Sequence, residues 1–301
     1  MRPFSSARRR PLLSKYPYRL SLLALLLATG AVFALSACGE KSEPTGTSIA
    51  RYPVSVHDAD GRLVSLDARP KSIAVAGDVS AELASALALD VTQVGTGGDN
   101  LDFGLIRELK PRLLLVGSTT DTAAIKRARA GGIVTYVVSD RTLGGIEQAL
   151  SDVGLLAGVP VRGRMERKRL SEKRETVQTA LANVKPVRVF IDMGNFTTVS
   201  DSSFVGHLII EAGGINVAGP DAQEGPFPLK RLRRLRPEVL IVGSDSDLTV
   251  AKLKRNPSTR WIPAVRTGRL VRIDLQSLEP GPKAVDGLLN LATALHPDAF
   301  S

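Results

Sequence analysis

Six short apolar runs recur along the chain, at residues 72–76, 112–116, 133–138, 187–191, 239–242 and 270–273. Each is rich in β-branched residues, and each leads into Gly, Ser, Asp or Thr and then a helical pattern. Near-continuous apolar strands alternating with helices predict parallel sheets covered on both faces, an α/β fold. Ahead of them, Val54-Ser55-Val56-His57 and residues 62–66 alternate apolar with polar around Asp60-Gly61, which predicts a small hairpin.

Residues 105–118 and 231–244 echo one another at an offset of 126. Each reads as a short helix, a proline that ends it (Pro111, Pro237), a buried strand and a Gly-Ser turn. The echo predicts two Rossmann-like lobes with parallel sheets. Between them, residues 162–183 hold no Pro and only one Gly, and are dense in Arg, Glu and Lys. Met165, Leu170, Val177, Leu181 and Val184 fall close to a helical stripe, so one long rigid helix of roughly 33 Å is expected to join the lobes and let the cleft open little.

Charge and the single cysteine change the picture at the amino end. The 301 residues carry a formal charge of +10, but residues 1–37 hold six basic residues and no acid. Without them 34 basic residues face 30 acidic ones, a net charge of +4. The basic stretch around Arg8-Arg9-Arg10, an apolar run over 20–35 and the sequence Leu35-Ser36-Ala37-Cys38 make a lipoprotein export signal, with Cys38 as the lipidated residue. Arg9-Arg10 also resembles a twin-arginine signal. The expected organisation is a signal peptide over 1–37, a polar tether over 38–51, an N-terminal lobe over 52–157, the linking helix over 158–184 and a C-terminal lobe over 185–301. One Cys excludes an intramolecular disulfide framework. With the excess charge in the leader, no nucleic-acid partner is expected.

Catalytic signatures are missing. The chain has no G-x-S-x-G, P-loop or dinucleotide fingerprint, and His57, His207 and His296 are too scattered in sequence to suggest a metal site. The pattern favours binding between lobes over catalysis, with no metal and no cofactor.

The order of segments resembles a known family. After the Cys and the Asp-Gly hairpin come Arg69-Pro70-Lys71-Ser72-Ile73-Ala74-Val75, Leu109-Lys110-Pro111, the long helix, Glu211-Ala212-Gly213-Gly214-Ile215-Asn216-Val217-Ala218, Leu235-Arg236-Pro237-Glu238-Val239, and Ala264-Val265-Arg266-Thr267-Gly268-Arg269-Leu270. Over about residues 52–300 this is similar to the helical-backbone substrate-binding proteins of ABC importers for ferric siderophores, haem and cobalamin. The resemblance implies a monomeric, non-enzymatic lipoprotein on the extracytoplasmic face of the cell membrane. It would hold one such ligand between its lobes and deliver it to an ABC permease.

Open α/β sheets bind ligands beyond the carboxyl ends of their strands. Candidate ligand residues there are Asp78, Val79, Ser80, Gly97, Asn100, Phe103, Thr119 and Arg141 in lobe one, and Asn195, Phe196, Phe227 and Asp245 in lobe two. Phe103, Phe196 and Phe227 would stack on a flat macrocycle and Arg141 would pair a carboxylate. The family docks on its permease through one Glu per lobe, and the matching positions here are Gly104 and Lys230. Asp102 and Glu224 are the neighbouring carboxylates that would take over. Because Lys230 opens a basic run, the alternative is a membrane-anchored binding or scaffold protein that no longer docks a standard permease.

Overall fold

Each of the six apolar runs forms a strand, and strands flanking them complete two parallel sheets. The computed structural model describes residues 50–98 and 100–301. Cys38, the export leader and most of the tether lie outside the described residues. Strands β1 (Val54–His57) and β2 (Leu63–Leu66) pair antiparallel, Val54 opposite Leu66. Lobe one then runs β3 (Ile73–Ala76), α1 (Asp78–Ala86), β4 (Thr92–Gln93), a hairpin of β5 (Gly95–Gly97) and β6 (Asn100–Leu101), α2 (Phe103–Leu109), β7 (Leu113–Gly117), α3 (Thr122–Ala130), β8 (Val134–Val138) and α4 (Leu143–Leu156). Its sheet has the order β4-β3-β7-β8, all parallel.

After helix α5 (Pro160–Leu181) comes lobe two: β9 (Val187–Asp192), α6 (Phe204–Glu211), β10 (Gly214–Asn216), α7 (Leu229–Leu235), β11 (Val239–Gly243), α8 (Val250–Arg255), α9 (Pro263–Thr267), β12 (Leu270–Ile273) and α10 (Ala284–Leu295). Its sheet is β10-β9-β11-β12, again parallel. The chain is thus an α/β protein with two parallel sheets joined by one long helix. The edge strands β4 and β10 carry no apolar run, since two residues of β4 are both exposed and β10 is Gly-Ile-Asn. Their pairing comes from the neighbouring strand, not from their own composition.

Two-residue periodicity sorts the core. In β9 and β11, Val189, Ile191, Val239 and Ile241 face one side, and Phe190 and Leu240 face the other, against α7, α8 and α9. In lobe one, Val75, Leu113 and Leu115 join the same large core, while Ala74, Ala76, Leu114 and Val116 pack on Ile106, Ile125 and Ala128 of α2 and α3. That large core is continuous between the lobes and takes in Leu170 and Val177 of α5. A shared core is what makes the joint stiff.

Helix α5 starts with Pro160, which suits a first helical position because its missing N–H would be unpaired there anyway. Its buried positions are Pro160, Gly163, Leu170 and Val177. Met165 was expected on this stripe but is 64% exposed, because the contact face follows the seven-residue spacing of 163, 170 and 177. At Gly163 the helix meets α4 closely: a Cβ there would sit 2.6 Å from the Leu150 carbonyl oxygen.

Candidate functional site

The loops leaving the carboxyl ends of the strands carry most of the predicted residues. In lobe one, Asp78 is exposed in the first turn of α1, followed by buried Val79 and Ser80. The Gly77 N–H donates to the Gly95 carbonyl at 3.2 Å, which brings Gly97 of the β5–β6 hairpin beside the start of α1. Thr119 and Arg141 are exposed beyond β7 and β8. Between them lies Asp140, 8% exposed, which accepts the Ser118 N–H at 3.0 Å and a short bond from the Ser118 hydroxyl. The carboxylate thereby fixes the loop that holds Thr119.

In lobe two, β9 ends on Asp192, which accepts the Gly194 N–H at 2.9 Å. Burial pushes the Asp192 carboxyl up, opposed by the backbone N–H groups of Gly194 and Phe196. The next turn closes through Thr197 N–H to the Gly194 carbonyl at 2.9 Å, with Asn195 at φ 52° and Phe196 at φ 57°. Asn accepts that left-handed backbone with little strain, whereas a bulky Phe does so at a cost. Asn195 is consequently held out, exposed, on a defined turn, with Asp245 exposed beyond β11. Asp140 falls in a loop that the sequence marks as a ligand loop, at Asp140-Arg141, whereas Asp192 is not among the predicted site residues. A strand that ends in Asp directly before a turn, as β9 does, is the signal that would have found Asp192.

Four of the predicted ligand residues do not stand free in solvent, and the first is Val79, only 8% exposed. The Phe227 ring is 5% exposed and packs on Phe190 with centroids 5.8 Å apart, so it fills the lobe-two core and offers no stacking face. Phe103 is half-buried beneath the Arg127 guanidinium, 4.0 Å from its ring centroid, in a groove between α2 and α3. Ser80 is fully buried and cannot meet a ligand from solvent. Phe196 stays half-buried against the lobe-two core. Asn100 is exposed on β6.

Of the docking carboxylates, Asp102 caps α2, accepting the N–H groups of Gly104 and Leu105 at 2.9 Å each. Glu224 is exposed, as are Gly104 and Lys230. The lobes touch where Glu82 of α1 faces Lys283 at 3.5 Å, beside a cavity of about 220 Å³ that also reaches Glu166 and Arg169 of α5.

The Ala-Gly-Gly-Ile-Asn-Val-Ala segment has a folding role. Gly213 has φ 76°, and a Cβ there would lie 2.7 Å from His296 Nε2, which is itself 3.1 Å from the Gly213 carbonyl oxygen. Asn216 donates from Nδ2 to the Val199 carbonyl at 2.9 Å and so ties β10 to the loop after β9. His207 Nδ1 lies 3.0 Å from the Asp201 carbonyl oxygen. Two of the three histidines are thus engaged with backbone, and His57 is exposed on the hairpin.

Comparison with known proteins is consistent with this geometry. Residues 60–276 match the model of a periplasmic binding protein family. A cobalamin-binding protein of Halobacterium salinarum is 22% identical over 275 residues, covering 81% of this chain and 74% of the relative. An uncharacterized ABC transporter substrate-binding lipoprotein of Bacillus subtilis is 24% identical over 309 residues, covering 92% and 96%. Among solved structures, the periplasmic vitamin B12 binding protein of Vibrio cholerae superposes with a TM-score of 0.64 at 17% identity, covering 77% of this chain and 98% of that one.

Proposed function

The chain belongs to the periplasmic binding protein family, and on that premise we propose that it is the extracytoplasmic binding component of an ABC importer. It captures a ferric siderophore, haem or cobalamin-type ligand between its lobes and delivers it to a permease. One observation carries the reading: Asp78, Thr119, Arg141, Asn195 and Asp245 are exposed polar side chains that stand just beyond the carboxyl ends of five different strands of two parallel sheets. That is where such sheets bind ligands.

Corrinoids lead the three classes because the cobalamin-binding relative matches along 81% of this chain, while the solved folds are shared alike by vitamin B12-binding and haem-binding proteins. Burial of Phe227 and cover over Phe103 leave Phe196 as the aromatic nearest the ligand loops, which weighs against a flat porphyrin that needs stacking faces. Cys38 supplies the lipid anchor, and the protein works as a monomer. Titrating the full chain with cyanocobalamin, haemin and ferric siderophores tests the reading, and silence from all three classes rejects it.

A second reading rests on Lys230. This residue, Arg233 and Arg234 are exposed on α7, where the family presents a carboxylate to its permease. An anchored binding or scaffold protein without a standard permease fits that polarity. Ligand-dependent stimulation of a reconstituted importer's ATPase would reject it.

A further inference from the structure

Helices α7, α8 and α9 form one layer on lobe two. Their buried residues Leu232, Leu253 and Val265 share a core with Phe190 and Leu240, which project from a single face of the sheet. The opposite faces of these helices therefore look away from the protein. What they carry is of one sign. Helix α8 carries Lys252, Lys254 and Arg255, α9 carries Arg266, and α7 adds four more basic residues, with no acid on any of the three.

Two of the acids nearby are paired, Asp221 with Arg231 and Asp247 with Lys252, while exposed Glu224 and Asp245 flank the layer outside its three helices. Lys230, Arg233, Arg234, Lys254, Arg255 and Arg266 are exposed and form no salt bridge among the described residues. Between α8 and α9 stands Trp261, the only tryptophan of the chain, 54% exposed, with the Arg260 guanidinium 5.1 Å from its ring centroid.

A face that serves only solubility mixes both signs and exposes no Trp. Nucleic-acid binding by stacking calls for several aromatics beside the cations, and this layer exposes one. A cationic layer with one indole at its surface matches the headgroup region of a bilayer, where basic side chains meet anionic lipid and an indole sits at the polar boundary. We propose that the α7–α9 face of lobe two lies against a bilayer rich in anionic phospholipid, with Trp261 inserted among the headgroups. This does not rest on the ligand reading, but because it includes α7 and Lys230 it goes with the second reading, in which that helix meets no standard permease.

Because Trp261 is the sole tryptophan, its emission reports this face even if the chain is also held to the membrane elsewhere. The full chain is mixed with phosphatidylcholine vesicles, with or without about one third phosphatidylglycerol. A blue shift and quenching by brominated acyl chains are expected with the anionic vesicles alone, weakened at least tenfold by about 0.5 M NaCl. The triple variant Lys254→Glu, Arg255→Glu, Arg266→Glu, all at exposed positions, should lose the response at least tenfold while keeping its far-ultraviolet dichroism. Equal response to neutral vesicles, or an unchanged response in the triple variant, would overturn the proposal. So would a shift with duplex DNA and none with vesicles, which would reassign the face to nucleic acid.

Discussion

Arg174 of the linking helix grips Glu211 of lobe two with both arms of its guanidinium, Nε to Oε2 at 2.7 Å and Nη2 to Oε1 at 3.1 Å. Its remaining nitrogen reaches Glu147 of lobe one at 3.5 Å. One side chain of the rod thus ties both lobes, and the two carboxylates with their hydrogen bonds hold the guanidinium above its ordinary range despite burial. Arg174→Ala leaves two largely buried carboxylates without a cation. It should cost about 1–2 kcal/mol in urea denaturation, discounted from a fully buried pair because the Arg remains partly hydrated. Arg174→Lys should recover only part, since a lysine lacks the forked geometry.

Gly163→Ala tests the contact between α4 and α5, where the sign is informative. In an exposed helix interior that change stabilises by roughly 1 kcal/mol. Here the new methyl would meet the Leu150 carbonyl at 2.6 Å and the Gly154 Cα at 3.1 Å. Overpacking of this kind costs about 1–3 kcal/mol. A drop in Tm is expected, and a rise would show that the helices can part freely.

Asp192 makes stability depend on pH. Its carboxyl is raised by burial, so the folded state holds this proton to higher pH than the unfolded chain. The site therefore weakens the fold as pH climbs from the ordinary carboxylate range through the folded value, and levels off above it. Asp152, buried beside Tyr136, behaves in the same sense, again mainly through desolvation. Asp192→Asn should flatten part of that fall in urea midpoints between about pH 3 and 7. An unchanged pH profile would show that Asp192 is solvated in solution.

Much of this was legible in sequence for identifiable reasons. The central strands β3, β7, β9 and β11 announce themselves because both of their faces are largely buried, and residues 105–118 and 231–244 repeat one helix–proline–strand unit. The edge strands β4 and β10 did not, since pairing alone makes them strands. Side-chain direction was the harder part. Nothing local distinguishes Phe227, which turns into the core against Phe190, from Phe196, which sits on a left-handed turn. Met165 misled because apolar character suggested a buried stripe, whereas close approach at Gly163 sets which face of α5 is covered.

The core shared through Leu170 and Val177, with the Glu82–Lys283 contact between lobes, predicts little opening of the cleft. Spin labels at Lys126→Cys on α3 and Arg266→Cys on α9, in a chain carrying Cys38→Ser, should report a distance change of only about 1–2 Å on ligand binding. A change several times larger would show that α5 is a hinge and not a strut.

Calorimetric titration of the full chain with cyanocobalamin, haemin and ferric siderophores, beside the double variant Arg141→Ala, Asn195→Ala, tests the central claim most directly. Both positions are exposed, and the left-handed backbone at Asn195 costs an alanine only about 1–2 kcal/mol, so the variant should still fold, which its far-ultraviolet dichroism checks. Saturable one-to-one binding is expected for one of the three classes, weakened in the variant at least about tenfold, or roughly 1.4 kcal/mol. No binding by any class, or binding that the variant leaves unchanged, would contradict a ligand held between the strand-end loops of the two lobes.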